Sequence, residues 1–165
     1  MEITYTQASM EDAEALKELF VAYSRELEQY EMEYTLVEDT LLTTIQSRIR
    51  SRMALAAVAK DADTVVGFLF CSISRLSGYT YEGSPLFGYI SDTFVAPAYR
   101  GRGIAGGLSQ MAAQWLAEND VGYVELKVLH SNHSAHWFWQ RQGFAPTTQT
   151  YGMKLKRNEE TDHDT

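Results

Sequence analysis

YRGRGIAGGL, residues Tyr99 to Leu108, sets four glycines and two arginines, with no acidic residue, directly before a run of helical periodicity. Glycine lets a backbone come close to a ligand, and the unpaired N–H groups that open a helix point outward. Bare main chain beside two guanidinium groups therefore reads as a phosphate cradle. The same glycines would equally serve a tight turn or close packing of a helix on a sheet. The surroundings of the stretch decide between these readings, and with them the fold.

After the glycines, Ile104, Leu108, Met111, Ala112, Trp115 and Leu116 fall on one helical face, and the helix is expected to end near Asn119-Asp120. YVELKVLH, 123–130, reads as a strand, Ser134 to Gln142 as a short helix stopped by Gly143, and TTQTYGMKLK, 147–156, as a closing strand. Before the glycines come ALAAVAK, a turn at DADT and VVGFLFCSIS, which together make a hairpin. A loop, RLSGYTYEGSP, leads from there to the β run LFGYISDTFV. EITYTQA alternates like a strand, and Ser9 with Asp12 three positions on resembles a capping box opening a helix whose apolar face is Leu16, Leu19, Phe20, Tyr23 and Leu27. Leu41, Leu42, Ile45 and Ile49 suggest a second helix, with Asp39 or Thr40 as its cap. The expected order is β-α-α-β-β-β-α-β-α-β, a mixed α+β fold in one domain over residues 1–156, followed by an acidic, disordered tail over 157–165.

Composition narrows the function. Acidic residues outnumber basic ones 22 to 14, for a net charge of −8, which argues against nucleic acid and suits a cationic substrate. No segment is apolar enough to span a bilayer and the N-terminus lacks the pattern of a signal peptide, so no membrane partner and a cytoplasmic location are expected. The lone Cys71 lies in an apolar run and reads as a buried, inert thiol. His130, His133 and His136 repeat every three residues, but no Cys or close carboxylate completes a set, and no metal is expected.

Gly101-Arg-Gly103-Ile-Ala-Gly106 also fits the dinucleotide fingerprint G-x-G-x-x-G, with Glu125 about twenty residues on, which makes an NAD(P)-dependent Rossmann oxidoreductase the rival. Five residues separate TFV from the first glycine, however, and too little chain follows for the further βαβ units that fold requires.

The run ISDTFVAPAYRGRGIAGGL resembles the acyl-coenzyme A signature of the GNAT superfamily of N-acetyltransferases, supplied by Arg100, Gly103 and Ala105. NHSAHWFWQRQGF is similar to that family's second motif, through Asn132, Ala135, the pair Phe138-Trp139, and Gly143-Phe144. The order of elements is also the family's. The resemblance implies a twisted, mostly antiparallel sheet containing one parallel, splayed strand pair, and transfer of acetyl from acetyl-coenzyme A to a primary amine in a ternary complex. The acceptor is a small amine or polyamine, or a protein lysine or N-terminal amine.

Carried onto this chain, the resemblance puts the diphosphate on the backbone N–H groups from Arg102 through Gly103, Ile104 and Ala105 to Gly106, with Arg100 and Arg102 adding charge and with Gly101, Gly103, Gly106 and Gly107 keeping side chains out of the cradle. The pantetheine arm falls on the backbone of Phe94 and Val95 and on Asn132, with the helix carrying Ala135 and Trp139 as its wall. Asp92 is the first candidate for a base, its bland alternative being to orient the amine, and Ser91 stands where some relatives carry glutamate. Trp139 stands where many carry a tyrosine acid, and indole is a donor that does not release its proton at pH 7. Tyr123 and Tyr151 are substitutes for that acid, and His130 is a candidate proton relay. Glu28, Tyr30, Glu31 and Tyr34 form an acidic, aromatic segment fit for a cationic acceptor, or simply a solvated helix end. Without the usual acid, a non-catalytic acyl-coenzyme A sensor is the alternative. The resemblance also leaves a homodimer among the expected assemblies.

Overall fold

The computed structural model describes residues 1–158. A five-stranded sheet in the order β1-β2-β3-β4-β5 forms its middle. The strands are β1 (Ile3–Gln7), β2 (Ala54–Asp61), β3 (Thr64–Arg75), β4 (Leu86–Val95) and β5 (Val124–Leu126). β1 to β4 pair antiparallel, whereas β4 and β5 are parallel. Helices α1 (Ala13–Leu27) and α2 (Leu41–Arg50) cover one face, and α3 (Ile104–Glu118) and α4 (His133–Arg141) cover the other. The expected mixed α+β fold, with its mostly antiparallel sheet and parallel pair, is the one observed.

Strand alternation divides the core in two. From β2 and β3, Val58, Phe68 and Phe70 pack under α1 and α2 with Leu16 and Ile45, while Leu55, Ala57, Leu69 and Cys71 pack under α3 and α4 with Leu108 and Leu116. Burial pushes the Cys71 thiol up to about 12, which keeps it protonated and inert. Gly88 on β4 lets α3 come close, since a Cβ there would overlap the Leu116 side chain.

Two features position the site. Pairing of β3 with β4 slips between Phe70 and Cys71, which face Asp92 and Ile90, so Ser91 is an extra, bulged residue. Parallel pairing of β4 with β5 ends at Ile90 and Leu126, after which the two strands part.

The end of the chain departs from expectation. β5 keeps only 124–126 of the strand expected over 123–130, and no strand forms over 147–156. Tyr151, Met153 and Leu155 do alternate as a strand would, but each is at least three-quarters exposed. With nothing to bury that stripe, alternation alone does not hold a strand. Of the tail expected over 157–165, residues 159–165 lie outside the described residues.

Candidate functional site

The glycine stretch opens α3. Gly101 and Gly103 sit at φ 76° and 77°, the left-handed region that other residues enter at a cost, while a Cβ at either would meet open space. These glycines are required by backbone shape rather than by crowding. Gly107 N–H makes the first helical bond, to Gly103 O at 3.0 Å. The N–H groups of residues 101 to 106 have no acceptor among the described residues, and no acidic side chain lies in the first turn. Six consecutive bare donors at the positive end of a helix dipole are an arrangement that suits an anion. Ile104 sends its side chain into the core and Ala105 is half-buried, so at both positions the outward-facing group is the backbone.

The two arginines divide. Arg102 lies over the Tyr99 ring at 5.5 Å, is exposed and makes no ion pair among the described residues, so it adds charge beside the cradle. Arg100, expected to do likewise, is committed elsewhere. It donates from Nε to Val95 O at 2.9 Å, pairs through Nη2 with Glu26 at 2.7 Å, and covers the Phe94 ring. The Glu26 carboxylate on α1 draws it to the opposite side of the sheet. Gly107 likewise serves packing, since a Cβ there would overlap the Tyr5 ring.

The bulge at Ser91 changes which backbone groups of β4 face the gap. Gly88 N–H donates to Tyr123 O at 2.8 Å, so before the bulge the even-numbered residues face the β5 side. Ala96 N–H donates to Val66 O at 2.8 Å, so after it the even-numbered residues face β3. The backbone groups of Thr93 and the N–H of Val95 therefore open onto the gap, the Val95 C=O being taken by Arg100 Nε. Those of Phe94, expected there, face β3, and its ring is buried under α1 and α2. Thr93 Oγ1 and, past β5, Ser131 Oγ are buried hydroxyl oxygens with no hydrogen-bond partner among the described residues. Such orphans cost roughly 1–3 kcal/mol each, and native folds keep few.

Asn132 caps α4, its Oδ1 accepting from Ala135 N–H at 3.1 Å. That leaves its Nδ2 donor for the gap. Trp139 is 8% exposed and packs edge-on against Phe138 and Phe144, so it is a core residue. His130 is exposed, and its side chain makes no hydrogen bond among the described residues.

On the α1/α2 face the bulge brings polar groups together that the sequence reading largely missed. Arg48 donates from Nη1 to Ser91 Oγ at 3.0 Å and pairs with Asp92 Oδ2 at 3.1 Å, with its guanidinium over the Phe70 ring. Arg48 thus engages one oxygen of Asp92, and the other, Oδ1, makes no hydrogen bond among the described residues. Tyr23 has its pKa raised by burial first, then by Asp92, Tyr34 and Tyr89, and Tyr89 by burial, Asp92, Tyr34 and Glu125. These phenols stay protonated at neutral pH and remain hydrogen-bond donors. Glu125 lies opposite Tyr89 and accepts from Tyr81 Oη at 3.3 Å, and the Tyr81 ring stacks on that of Tyr123 with their centroids 3.9 Å apart. Of the four expected acceptor residues, only Tyr34, itself 67% exposed, contributes to raising the Tyr23 and Tyr89 phenols. Glu28 and Tyr30 form a single turn after α1, Glu31 follows at φ 58°, and neither glutamate makes an ion pair among the described residues. Among the described residues no group of His, Cys, Asp and Glu could hold a metal ion, and no helix is long and apolar enough to cross a membrane.

Comparison with known proteins bears on this arrangement. The model of the acetyltransferase (GNAT) family matches residues 13–144. N-alpha-acetyltransferase 30 of Schizosaccharomyces pombe is 29% identical over 98 residues, a match that spans 59% of this chain and 62% of the yeast protein. A crystal structure of a Bacillus halodurans protein superposes with a TM-score of 0.78 at 18% identity, covering 92% of this chain and 99% of the other. An aminoglycoside 6′-N-acetyltransferase from Acinetobacter baumannii superposes with a TM-score of 0.75 at 20% identity, covering 95% of this chain and all of that one.

Proposed function

The chain belongs to the GNAT acetyltransferase family, an acyltransferase family that uses acetyl-coenzyme A, and we propose that it transfers acetyl to a primary amine carrying positive charge. The observation that carries this reading is the run of six bare N–H groups at the start of α3, beside a gap between parallel strands. The residues fit acetyl-coenzyme A. The backbone of residues 101–106 and the Arg102 guanidinium suit a diphosphate, while the Thr93 and Val95 edge of β4 and the Asn132 amide suit the amides of a pantetheine arm. When bound, the carrier supplies an acetyl thioester.

The chain's own groups then have three tasks. Tyr34, Tyr89 and Glu125 hold a cationic amine on the α1/α2 face by charge and aromatic contact. Asp92, through Oδ1, accepts the proton that an alkylamine of pKa about 10.4 must lose before it attacks. Arg48 fixes that carboxylate through the other oxygen. As the C–N bond forms and the C–S bond breaks, the sulfur, whose thiol pKa is about 8.5, would leave as thiolate with only a hydrogen bond to assist it and then take up the second proton, which the new amide nitrogen sheds. Buried Trp139 is therefore no obstacle. The names of the relatives support both kinds of acceptor amine, a protein N-terminus and an amino sugar.

Gly103→Asp tests the reading. The left-handed region tolerates Asp better than most residues, the space is open, and a carboxylate at a helix start is itself favourable, so the fold is expected to survive. That carboxylate would take the bare donors, and calorimetry is expected to show at least about a tenfold loss of coenzyme A affinity, equal to about 1.4 kcal/mol. Unchanged affinity would overturn the assignment. Burial of Trp139 also favours a second reading, an acyl-coenzyme A sensor, which would bind the carrier yet release no thiol across a panel of amines.

A further inference from the structure

Tyr81 lies in the loop between β3 and β4, yet both its backbone and its side chain are fixed. Tyr81 N–H donates to Ser84 O at 2.8 Å, and Ser84 N–H donates to Tyr81 O at 2.9 Å. The two residues between them, Glu82 and Gly83, sit at φ 49° and 88°, the left-handed pair that makes a tight hairpin turn. The Tyr81 ring stacks on Tyr123 with centroids 3.9 Å apart and meets the Phe87 ring edge-on at 5.9 Å, and its Oη donates to Glu125 Oε2 at 3.3 Å. Val124 and Leu126 pack toward α3 and α4, so alternation turns Tyr123 and Glu125 to the α1/α2 side of β5. On that side Tyr89, the register partner of Glu125, feels the charge of Asp92. The loop thus lays one phenol across the carboxylate that faces Tyr89.

We propose that Tyr81 is a positioning residue for the acceptor: held by its turn and by the Tyr123 ring, its hydroxyl fixes the Glu125 carboxylate through one oxygen and leaves the other for a cationic group. The inference rests on the function proposed above, in which Glu125 holds the acceptor. The distance suits orienting the carboxylate rather than neutralising it. A strong hydroxyl–carboxylate hydrogen bond is about 2.5–2.7 Å long, so one at 3.3 Å removes little of the charge. Glu125 makes no ion pair among the described residues, and its Oε1 accepts no hydrogen bond there. Partial burial first, and then Glu125 and Tyr123, raise the Tyr81 phenol, which keeps it protonated and a donor. A carboxylate already held in one orientation loses less rotamer freedom when a cation arrives.

Tyr81→Phe keeps the ring, its stack on Tyr123 and the turn, and removes only the hydroxyl. Thiol release from acetyl-coenzyme A would be followed with spermidine, with the aminoglycoside kanamycin, and with a lysine-containing peptide whose N-terminus is free. For each acceptor that the wild type acetylates, KM is expected to rise about three- to tenfold while kcat stays within about twofold, the mark of a lost binding contribution. Coenzyme A affinity and the melting temperature should not change. Glu125→Gln should raise KM further, and adding Tyr81→Phe to it should raise KM no more, because the hydroxyl acts through the carboxylate. A packing role for Tyr81 would instead add the same factor in both backgrounds. An unmoved KM in Tyr81→Phe, an equal rise in the Glu125→Gln background, or a loss of kcat in place of the rise in KM would overturn the proposal. Wild-type protein that binds coenzyme A but acetylates none of these amines would overturn the functional reading and this inference with it, a result in which the variants play no part.

Discussion

At Gly103 an added Cβ meets open space, at Gly107 it overlaps the Tyr5 ring, and at Gly88 it overlaps Leu116. The three glycines therefore answer to different constraints. Leu116 is 3% exposed and locked in the core, so Gly88→Ala should cost roughly 1–3 kcal/mol by overpacking. Tyr5 is 37% exposed and its ring has room to swing outward, so Gly107→Ala should cost less than about 1 kcal/mol. Neither change should alter coenzyme A affinity, and thermal melts beside calorimetry would show whether packing and binding separate in this way. The sequence does not contain this distinction, because Tyr5 lies a hundred residues from Gly107 and nothing local marks their contact. Arg100 was opaque for the same reason, since its partner Glu26 is on another helix. The bare donors of Gly101, Arg102 and Gly103 were legible because they depend only on the backbone they belong to and the helix they begin.

Elements whose ends are signalled by their own residues formed where expected, and α1 shows why. Asp12 Oδ2 accepts from Ser9 N–H at 2.8 Å, and Oδ1 pairs with Lys60 on β2 at 2.7 Å, so one side chain both starts the helix and ties it to the sheet. Burial by itself would raise the Asp12 carboxyl, but Lys60 and the Ser9 N–H and hydroxyl outweigh burial and hold it below its usual value. A carboxyl depressed in the folded state contributes stability that is present above its unfolded pKa of about 3.9 and is lost as pH falls through the folded value. Asp12→Asn should therefore melt lower than wild type near pH 6, by the equivalent of about 1–2 kcal/mol, and the gap should close toward pH 3. A gap independent of pH would show that the carboxylate's charge is irrelevant. The closing strand failed for the complementary reason. Its alternation is a local signal, whereas a strand needs a neighbour and a face to bury, and Tyr151, Met153 and Leu155 have neither. The bulge at Ser91 left no sequence mark, yet it gathers Tyr89, Ser91 and Asp92 on one face and hands the gap to Thr93 and Val95.

Across the whole molecule, the formal charge of −8 opposes one substrate and favours the other. Under the proposed function, coenzyme A is a polyanion approaching a negative protein, and the N–H groups of residues 101–106 and the Arg102 guanidinium would draw it in only at short range. A cationic amine, the acceptor proposed above, would be attracted both by the net charge and by Glu125 and Asp92 beside their phenols. Salt separates these contributions, because the Debye length falls from about 30 Å at 0.01 M to about 3 Å at 1 M while hydrogen bonds at contact distance are little screened. Long-range repulsion of coenzyme A is thus removed before its local attraction, and its affinity should hold steady or rise as salt increases. The acceptor loses a favourable field over the same range, and its KM should climb several-fold. Titrating both substrates across that range reads the two trends in one protein. A steep fall in coenzyme A affinity with salt would mean that exposed guanidinium groups, and not bare backbone, hold the phosphates.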